Sequence, residues 1–143
     1  MPIGCFISSK EIMEVFTNNP VLGHISTFGG HPVSSAASLA TLQVIQDENL
    51  LAGIDKKELL FRDTLKHPAI KAIRSKGLMM AVEFESYDVL KPIIDRAIEL
   101  GVVTDWFLFN DKSMRIAPPL IITEDEIKKA CEIILQAIND VIK

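Results

Sequence analysis

The sequence predicts an α+β protein in which a small antiparallel sheet is covered by helices. Three observations support this. An apolar run over 78–84 has the composition of a central strand. Residues 102–117 contain two short β-prone runs joined by a polar triplet, which is the pattern of a hairpin. The segment 123–142 opens with a capping-box pattern, Thr123 to Glu126, and continues as one apolar stripe at helical spacing, so a long amphipathic helix is expected there.

The first fifty residues alternate between short elements and a glycine-rich loop. The run 3–8 is apolar and predicts a strand, and Ser9 is placed to cap a short helix through Val15. Residues 21–33 hold three glycines and show neither helical nor strand period, which is typical of a structured loop. Pro32 suits the first turn of a helix, so a largely apolar helix of about 15 residues is expected to follow and to be buried.

The second half of the chain supplies the remaining elements. The charged stretch 46–76 predicts a solvated helix with its connections. Residues 88–100 repeat apolar positions at helical spacing, with Pro92 expected in the first turn and Gly101 just past the end. Within the hairpin, the polar triplet 110–112 is predicted to form the turn.

These elements fall into two parts. Residues 1–50 hold one strand, a loop and one helix, which do not make a core by themselves. Residues 51–143 hold the sheet-forming runs and two amphipathic helices, and we predict that they form a compact α+β domain.

Composition excludes several classes of function. The chain has 143 residues, with 15 Lys and Arg against 19 Asp and Glu, so it offers no basic field for nucleic acid. Its apolar runs are shorter than the roughly 18–20 residues of a membrane span, so no membrane contact is expected. Cys5 and Cys131 have no further Cys or His at metal-ligand spacing. We therefore predict no disulfide framework and no metal site, and we expect a cytoplasmic location.

Two places could carry chemistry. Ser26 and Thr27 precede Gly29 and Gly30, so hydroxyls and bare backbone N–H groups could bind a phosphate there, although this pattern is more often an ordinary turn. Arg115 lies among apolar residues of a predicted strand. Its guanidinium suits a carboxylate or a phosphate, but an edge-strand arginine facing water is the simpler explanation. Spacing alone leaves both alternatives open.

Other reactive or aromatic side chains receive structural interpretations. His24 and His31 flank the loop, but no Ser or Cys nucleophile with matching partners accompanies them, so no catalysis is assigned to them. Trp106, Phe107 and Phe109 could line an aromatic pocket, yet aromatic residues in a strand usually belong to the core.

The chain contains, in this order, the segments 1–9 (MPIGCFISS), 23–32 (GHISTFGGHP) and 114–120 (MRIAPPL). Together these segments resemble the class III (ornithine/acetylornithine type) pyridoxal-phosphate aminotransferases. The resemblance spans the whole chain but corresponds only to the C-terminal portion of the family. It implies the C-terminal small domain of a pyridoxal-phosphate-dependent transferase of fold type I, preceded by a remnant of the large domain over residues 1–50.

The resemblance also implies roles for individual residues. Thr27 resembles the threonine that binds the cofactor phosphate of the neighbouring subunit in the family's homodimer, and Ser26 resembles an adjacent residue that contacts substrate. Arg115 resembles the arginine that binds a substrate carboxylate, and that in some members pairs with an upstream glutamate. His31 stands where the family commonly has an asparagine, which leaves the subfamily open.

The resemblance further indicates what the chain lacks. Family members carry a Schiff-base lysine ahead of the segment that resembles 1–9; that lysine is absent here, and Lys10 does not replace it. No catalytic residue is therefore assigned, and the isolated chain is predicted to form no covalent link with pyridoxal 5'-phosphate and to have no transaminase activity. In a full-length enzyme, the implied reaction transfers an amino group from an amino acid such as ornithine, or from a related amine, to a 2-oxo acid.

Other functions remain alternatives at this level. The chain could be a noncatalytic α+β module for binding or self-assembly, because an uncovered apolar helix over 34–45 would favour self-association. An unrelated α+β ligand-binding domain would require all three segments to match by accident. The exact amino donor is not determined by these residues.

Overall fold

The structure is a computed structural model that describes residues 1–17, 19 and 25–142. The chain divides into two compact units, one of residues 1–49 and one from residue 50 onward. We call them the N-terminal unit and the C-terminal unit and describe each by itself. The part of the predicted loop at 21–24, which includes His24, lies outside the described residues.

The N-terminal unit begins with extended chain and a short helix. Residues 1–9 contain neither helix nor strand, so the predicted strand over 3–8 is wrong. A strand requires a hydrogen-bonded neighbour, and the described residues of this unit supply none. The predicted cap is confirmed, because the Ser9 hydroxyl accepts a hydrogen bond of 3.5 Å from the Ile12 N–H. Helix α1 (Lys10–Met13) follows and continues into a 3₁₀ turn (Glu14–Phe16).

Helix α2 (Pro32–Asp47) is the main element of the N-terminal unit. It starts at Pro32 as predicted, where the missing N–H of proline costs no helical hydrogen bond. None of its residues is buried within this unit, so the expected burial is not seen there. The same holds for every described residue of the unit. Large apolar side chains are consequently exposed, among them Phe6, Ile7, Phe28, Leu39 and Leu42.

The C-terminal unit is a four-stranded antiparallel sheet with three helices, in the strand order β1-β2-β4-β3. The predicted small antiparallel sheet covered by helices is confirmed. Its elements are α3 (Ile54–Thr64), β1 (Ala72–Lys76), β2 (Met79–Glu83), α4 (Tyr87–Glu99), β3 (Asp105–Phe107), β4 (Asn110–Ile116) and α5 (Glu124–Val141).

One face of the sheet forms the core. Side chains alternate along a strand, so Met80 and Val82 of β2 are fully buried whereas the neighbouring Met79 is exposed. Helix α4 packs against β4, and helix α5 packs against both α3 and α4. The opposite face carries Arg74, Met79, Ala81, Glu83, Asp105 and Arg115 by the same alternation, and we call these residues the open face.

Strand β1 was not predicted, because its residues were assigned to the charged connector. Ile73 packs against the core, while Arg74 and Lys76 are exposed on the open face. The Arg62 guanidinium of α3 donates a hydrogen bond of 3.1 Å to the Ile73 carbonyl. This edge strand is therefore charged on one face, and a side chain of α3 hydrogen-bonds to its backbone. Its charged composition explains why the sequence pattern does not indicate a strand.

Two local predictions need correction. The polar triplet 110–112 does not form the hairpin turn; it begins strand β4, and the turn is made by Leu108 and Phe109. Neither turn residue has a positive φ, and turns of that kind accept most side chains. Pro92 lies inside α4, beyond the first turn where it was expected.

The capping box of α5 is confirmed. The Thr123 hydroxyl accepts a hydrogen bond of 3.2 Å from the Glu126 N–H, and the Glu126 carboxylate accepts one of 2.8 Å from the Thr123 N–H. These donors, the Thr123 backbone first and its hydroxyl second, hold the pKa of Glu126 below its ordinary value. The two residues satisfy backbone groups that the first helical turn would otherwise leave without partners.

Removal of this cap is expected to destabilise the C-terminal unit modestly. Thr123→Ala should lower the free energy of unfolding by about 1 kcal/mol, since the Glu126 N–H loses its acceptor. Urea denaturation at neutral pH measures this change. Thr123→Ser retains the hydroxyl and is the matched control. An equal loss in both variants would assign the effect to the methyl group rather than to the cap.

Candidate functional site

Arg115 is placed on the open face by the register of the sheet. Strand β4 pairs with β2 on one side and with β3 on the other. The pairing sets Arg115 opposite Ala81 of β2 and opposite Asp105 of β3. The guanidinium therefore stands between a small residue on one side and a carboxylate on the other.

Asp105 holds the Arg115 side chain. The Arg115 Nη2 lies 3.3 Å from the Asp105 Oδ2, and both side chains are 49% exposed. The Thr104 hydroxyl also donates a hydrogen bond of 2.7 Å to the Arg115 carbonyl, which fixes the strand locally. Within the described residues, the other N–H groups of the guanidinium have no hydrogen-bond partner. They are available to a carboxylate, whose two oxygens match the guanidinium fork.

An apolar cavity of about 420 Å³ adjoins Arg115. It lies on the open face, where the methyl group of Ala81 leaves room above the sheet. The hairpin turn supplies two of the lining residues, Leu108 and Phe109, which are 82% and 97% exposed and do not enter the core. The lining residues are Ala81, Phe107, Leu108, Phe109, Asn110 and Arg115.

A second charge cluster lies along the open face at Glu83. Lys112 Nζ approaches the Glu83 carboxylate to 2.8 Å, and Arg74 forms a further ion pair with it. The hydrogen bond from Lys112, followed by that from Arg74, holds the pKa of Glu83 below its ordinary value. The Glu83 carboxylate is thus ionised, and Lys112 and Arg74 balance its charge. Arg115 therefore remains to interact with Asp105 and with any ligand.

Ser26 and Thr27 form part of a double turn in the N-terminal unit. The Gly29 N–H donates to the Ser26 carbonyl over 3.3 Å, and the His31 N–H donates to the Phe28 carbonyl over 3.2 Å. Gly30 has φ of +69°, a left-handed conformation that favours glycine. At Gly29, a Cβ would lie 2.7 Å from the Ser26 Oγ, so any other residue there would require that hydroxyl to rotate away.

Several hydrogen-bond donors of the double turn are not used within the turn. Ser26 and Thr27 are both exposed. Among the described residues, the N–H groups of Thr27, Phe28 and Gly30 are not used in the turn's own hydrogen bonds. Together with the Thr27 hydroxyl they make a set of neutral donors of the kind that holds an anion.

Comparison with protein families decides the family of the chain. The model of the family described as aminotransferase class III matches residues 1–138. The chain belongs to the class III aminotransferases. The resemblance seen in the sequence is confirmed, and members of this family are transferases.

A curated relative of this class III aminotransferase chain is the acetylornithine aminotransferase of Caldanaerobacter subterraneus subsp. tengcongensis. The two are 37% identical over 145 residues, which cover 98% of this chain and 35% of the relative. The chain therefore spans about a third of the length of the curated relative it matches.

Solved structures of class III aminotransferases share the fold. The ornithine aminotransferase of Toxoplasma gondii, which has pyridoxal phosphate at partial occupancy in its active site, matches with a TM-score of 0.74 and 32% identity; the match covers 92% of this chain and 31% of that one. The omega transaminase of Pseudomonas jessenii in complex with PMP matches with a TM-score of 0.74 and 29% identity, over 85% of this chain and 29% of that one. The fold-type-I assignment is confirmed.

Within residues 1–17, 19 and 25–142, no three or more His, Cys, Asp or Glu side chains are grouped so that they could hold a metal ion. In the same part of the chain, no helix has the length and apolar character needed to cross a membrane.

The donors of the double turn fit the phosphate group of pyridoxal phosphate. A phosphate dianion accepts several hydrogen bonds, and a hydroxyl with nearby backbone N–H groups supplies them without a counter-charge. Gly29 allows the Ser26 side chain to lie close against the backbone, and Gly30 allows the chain to turn past the donors. The residues present are therefore chemically suited to hold that end of the cofactor.

The three residues singled out in the sequence occupy two places. Ser26 and Thr27 share the double turn of the N-terminal unit, and Arg115 lies on the sheet of the C-terminal unit. Sequence reasoning missed Asp105, which depends on strand register. It also assigned Phe107 and Phe109 to the core, whereas both line the cavity. Trp106 does pack against the core, edge-on to the Tyr87 ring at a centroid distance of 5.4 Å. Alternation along β3 could have indicated this, because neighbouring residues of a strand, such as Trp106 and Phe107, point to opposite faces.

Proposed function

We propose that this chain supplies the carboxylate-binding arginine and the phosphate-binding turn of a class III aminotransferase that transfers an amino group from an amino acid to a 2-oxo acid. The observation that carries the proposal is the half-exposed Arg115 guanidinium at the edge of an apolar cavity. An amino acid and a 2-oxo acid share one group, a carboxylate, which an arginine binds through paired hydrogen bonds.

In this proposal, Arg115 orients the substrate. The Asp105 carboxylate restrains one Nη group, so the guanidinium loses less rotational freedom when a substrate carboxylate binds. A substrate whose carboxylate is bound holds its amino or oxo carbon in a fixed orientation. Such orientation raises the reaction rate because less freedom of movement has to be lost in the transition state. Ser26 is proposed to contact the substrate from the double turn.

Thr27 is proposed to hold the cofactor. Its hydroxyl and the neighbouring N–H groups would bind the phosphate of pyridoxal 5'-phosphate. When bound, pyridoxal phosphate supplies the electron sink that amino-group transfer needs. By the resemblance, the phosphate is that of the neighbouring subunit, so we propose a homodimer. We also propose that the enzyme is cytoplasmic.

The two units are proposed to belong to different domains of that enzyme. Residues 1–50 would be part of the large domain, and residues 51–143 would be the small domain. Support comes from burial, since no described residue of the N-terminal unit is buried whereas the C-terminal unit has a continuous core. The amino donor is proposed to be ornithine or a related amine, in line with the names of the relatives.

The 143 residues alone are proposed to be inactive. They span about a third of the curated relative, and no residue in them takes the place of the cofactor-binding lysine of the family. We expect no amino-group transfer from ornithine or N-acetylornithine to 2-oxoglutarate when the purified chain is mixed with pyridoxal phosphate. Turnover above the rate of free pyridoxal phosphate would contradict the inactivity.

A chimera tests the function itself. Residues 1–143 replace the matched third of the Caldanaerobacter acetylornithine aminotransferase, and amino transfer is assayed in the product. We expect the chimera to transaminate. Arg115→Gln should lower kcat/KM roughly 10- to 100-fold, because a charged hydrogen-bonded pair with the substrate is lost. The effect on retained cofactor should be small.

Control variants distinguish the carboxylate-binding role of Arg115 from the phosphate-binding role of Thr27. Thr27→Ala in the chimera should weaken retention of pyridoxal phosphate, measured after dialysis, whereas Thr27→Ser should preserve it. Met79→Ala changes an exposed residue of the same open face and should leave both measurements unchanged. A folded chimera without amino-transfer activity would contradict the proposed function.

A second candidate is a noncatalytic self-assembly module. It is favoured by the exposed apolar side chains of the N-terminal unit, such as Leu39 and Leu42 of α2. This function predicts that the 143-residue chain oligomerises without pyridoxal phosphate, and that Leu42→Ser reduces the association. Sedimentation equilibrium measures both. A monomer at all concentrations would exclude it.

A further inference from the structure

We propose that the hairpin turn and Ala81 make the Arg115 site selective for carboxylates that carry an extended apolar segment, such as the three methylene groups of ornithine. The proposal rests on the proposed function and names the substrate class of that same site. It concerns the C-terminal unit alone, because every residue involved lies in β2, β3, β4 or the turn between β3 and β4.

The cavity has one charged end and an otherwise largely apolar wall. Arg115 is the only charged residue among the six that line it, and Asn110 is the only other polar one. Its volume of about 420 Å³ lies within the range of small-molecule sites, roughly 300–1,000 Å³. A ligand with one carboxylate and an aliphatic or aromatic body complements that distribution of charge.

The register of the sheet creates the space. Ala81 is the direct cross-strand neighbour of Arg115, and directly opposed residues have Cβ atoms about 4.5–5.5 Å apart. A larger residue at position 81 would occupy the volume beside the guanidinium. The alanine therefore leaves a recess into which the first carbons of a bound carboxylate can extend.

The hairpin turn supplies an apolar surface that the core does not use. Leu108 and Phe109 are almost fully exposed, which costs free energy in water and is unusual for a tight turn. Phe107, beside a bulge in β3, also lines the cavity. A ligand whose apolar body lies against these three side chains removes apolar surface from water on both partners.

Direct binding to the 143-residue chain tests the selectivity. Butanoate, hexanoate and octanoate are titrated separately and dissociation constants are taken from amide chemical shifts. We expect affinity to rise roughly two- to threefold for each added methylene, since a cavity open on one side buries part of each group. Octylammonium has the same body with the opposite charge and should bind at least about tenfold more weakly than octanoate.

The variants assign the effect to particular side chains. Phe109→Ser, at the exposed tip, should flatten the dependence on chain length while leaving butanoate binding nearly unchanged. Ala81→Phe should weaken all three carboxylates, butanoate included, because it fills the recess that receives their first carbons. Arg115→Gln should weaken all three carboxylates by a similar factor, and Met79→Ser is the control on the same strand outside the cavity lining.

The outcomes separate this proposal from the general function. Equal affinity for the three carboxylates, or an unchanged chain-length dependence in Phe109→Ser, overturns the apolar selectivity even if the chimera transaminates. An inactive chimera overturns the aminotransferase proposal even if octanoate binds here. A chain-length dependence that Phe109→Ser reduces, together with weaker binding of all three carboxylates in Ala81→Phe, supports the selectivity.

Discussion

Phe61→Ala is expected to lower the free energy of unfolding of the C-terminal unit by about 3–5 kcal/mol. Phe61 is the single buried residue of helix α3 and is fully enclosed. Its truncation removes aromatic contacts with the core and leaves a cavity that the surrounding backbone cannot fill by a small movement. Urea denaturation, followed by the fluorescence of Trp106, measures the loss.

The same helix provides the control. Leu59 is two positions away and 57% exposed, so Leu59→Ala should change the free energy of unfolding by less than about 0.5 kcal/mol. A small effect at Phe61, or comparable effects at both positions, would mean that α3 is not anchored by this side chain. The sheet and α5 would then hold the core without it.

The elements predicted best are those in which one face is strongly apolar. Helix α5 combines a capping box with an apolar stripe, and the central strand β2 is a continuous apolar run, so local signal and burial agree. Strand β1 lacks that agreement. Its alternate residues Arg74 and Lys76 are charged because the strand lies at the edge of the sheet, and the resulting composition is that of a solvated connector.

The hairpin shows how a shifted turn changes a site. A turn centred on 110–112 would set Phe107 opposite Arg115, whereas the observed turn sets Asp105 there. The sequence rule that turns are polar failed because this turn needs no positive φ and so tolerates Leu108 and Phe109. Arg115 could be proposed from its residue type and from the family resemblance, but its partner and its cavity depend on register, which needs the fold.

The strand predicted over 3–8 failed for a different reason. Its apolar composition is that of a buried strand, yet within the N-terminal unit it meets no partner strand among the described residues and stays exposed. An apolar composition predicts that a segment becomes buried, but it does not specify which secondary structure the segment adopts. A local pattern therefore predicts a strand only when the rest of the sheet is available to complete it.

Cys131 should make the C-terminal unit selectively sensitive to alkaline pH. Burial, with a smaller contribution from Glu132, raises the pKa of the Cys131 thiol to about 12. The unfolded chain releases this proton near the ordinary pKa of cysteine, about 8.5. The folded state therefore keeps its full stability below that pH, and loses stability as the pH rises toward 12 because the unfolded state gains by ionising. The loss is about 1.4 kcal/mol for each pH unit in this window.

A difference measurement isolates that thiol from other groups that titrate in the same window. Urea denaturation of the wild type and of Cys131→Ala is compared at pH 8 and at pH 10.5. The surface ion pairs weaken equally in both proteins, so the wild type should lose about 2 kcal/mol more than the variant between the two conditions. Parallel losses would show that Cys131 ionises in the folded state as readily as in the unfolded chain, which requires water to reach the interface of α5 with α3 and α4. The expected divergence instead requires that interface to stay dry until the whole unit unfolds.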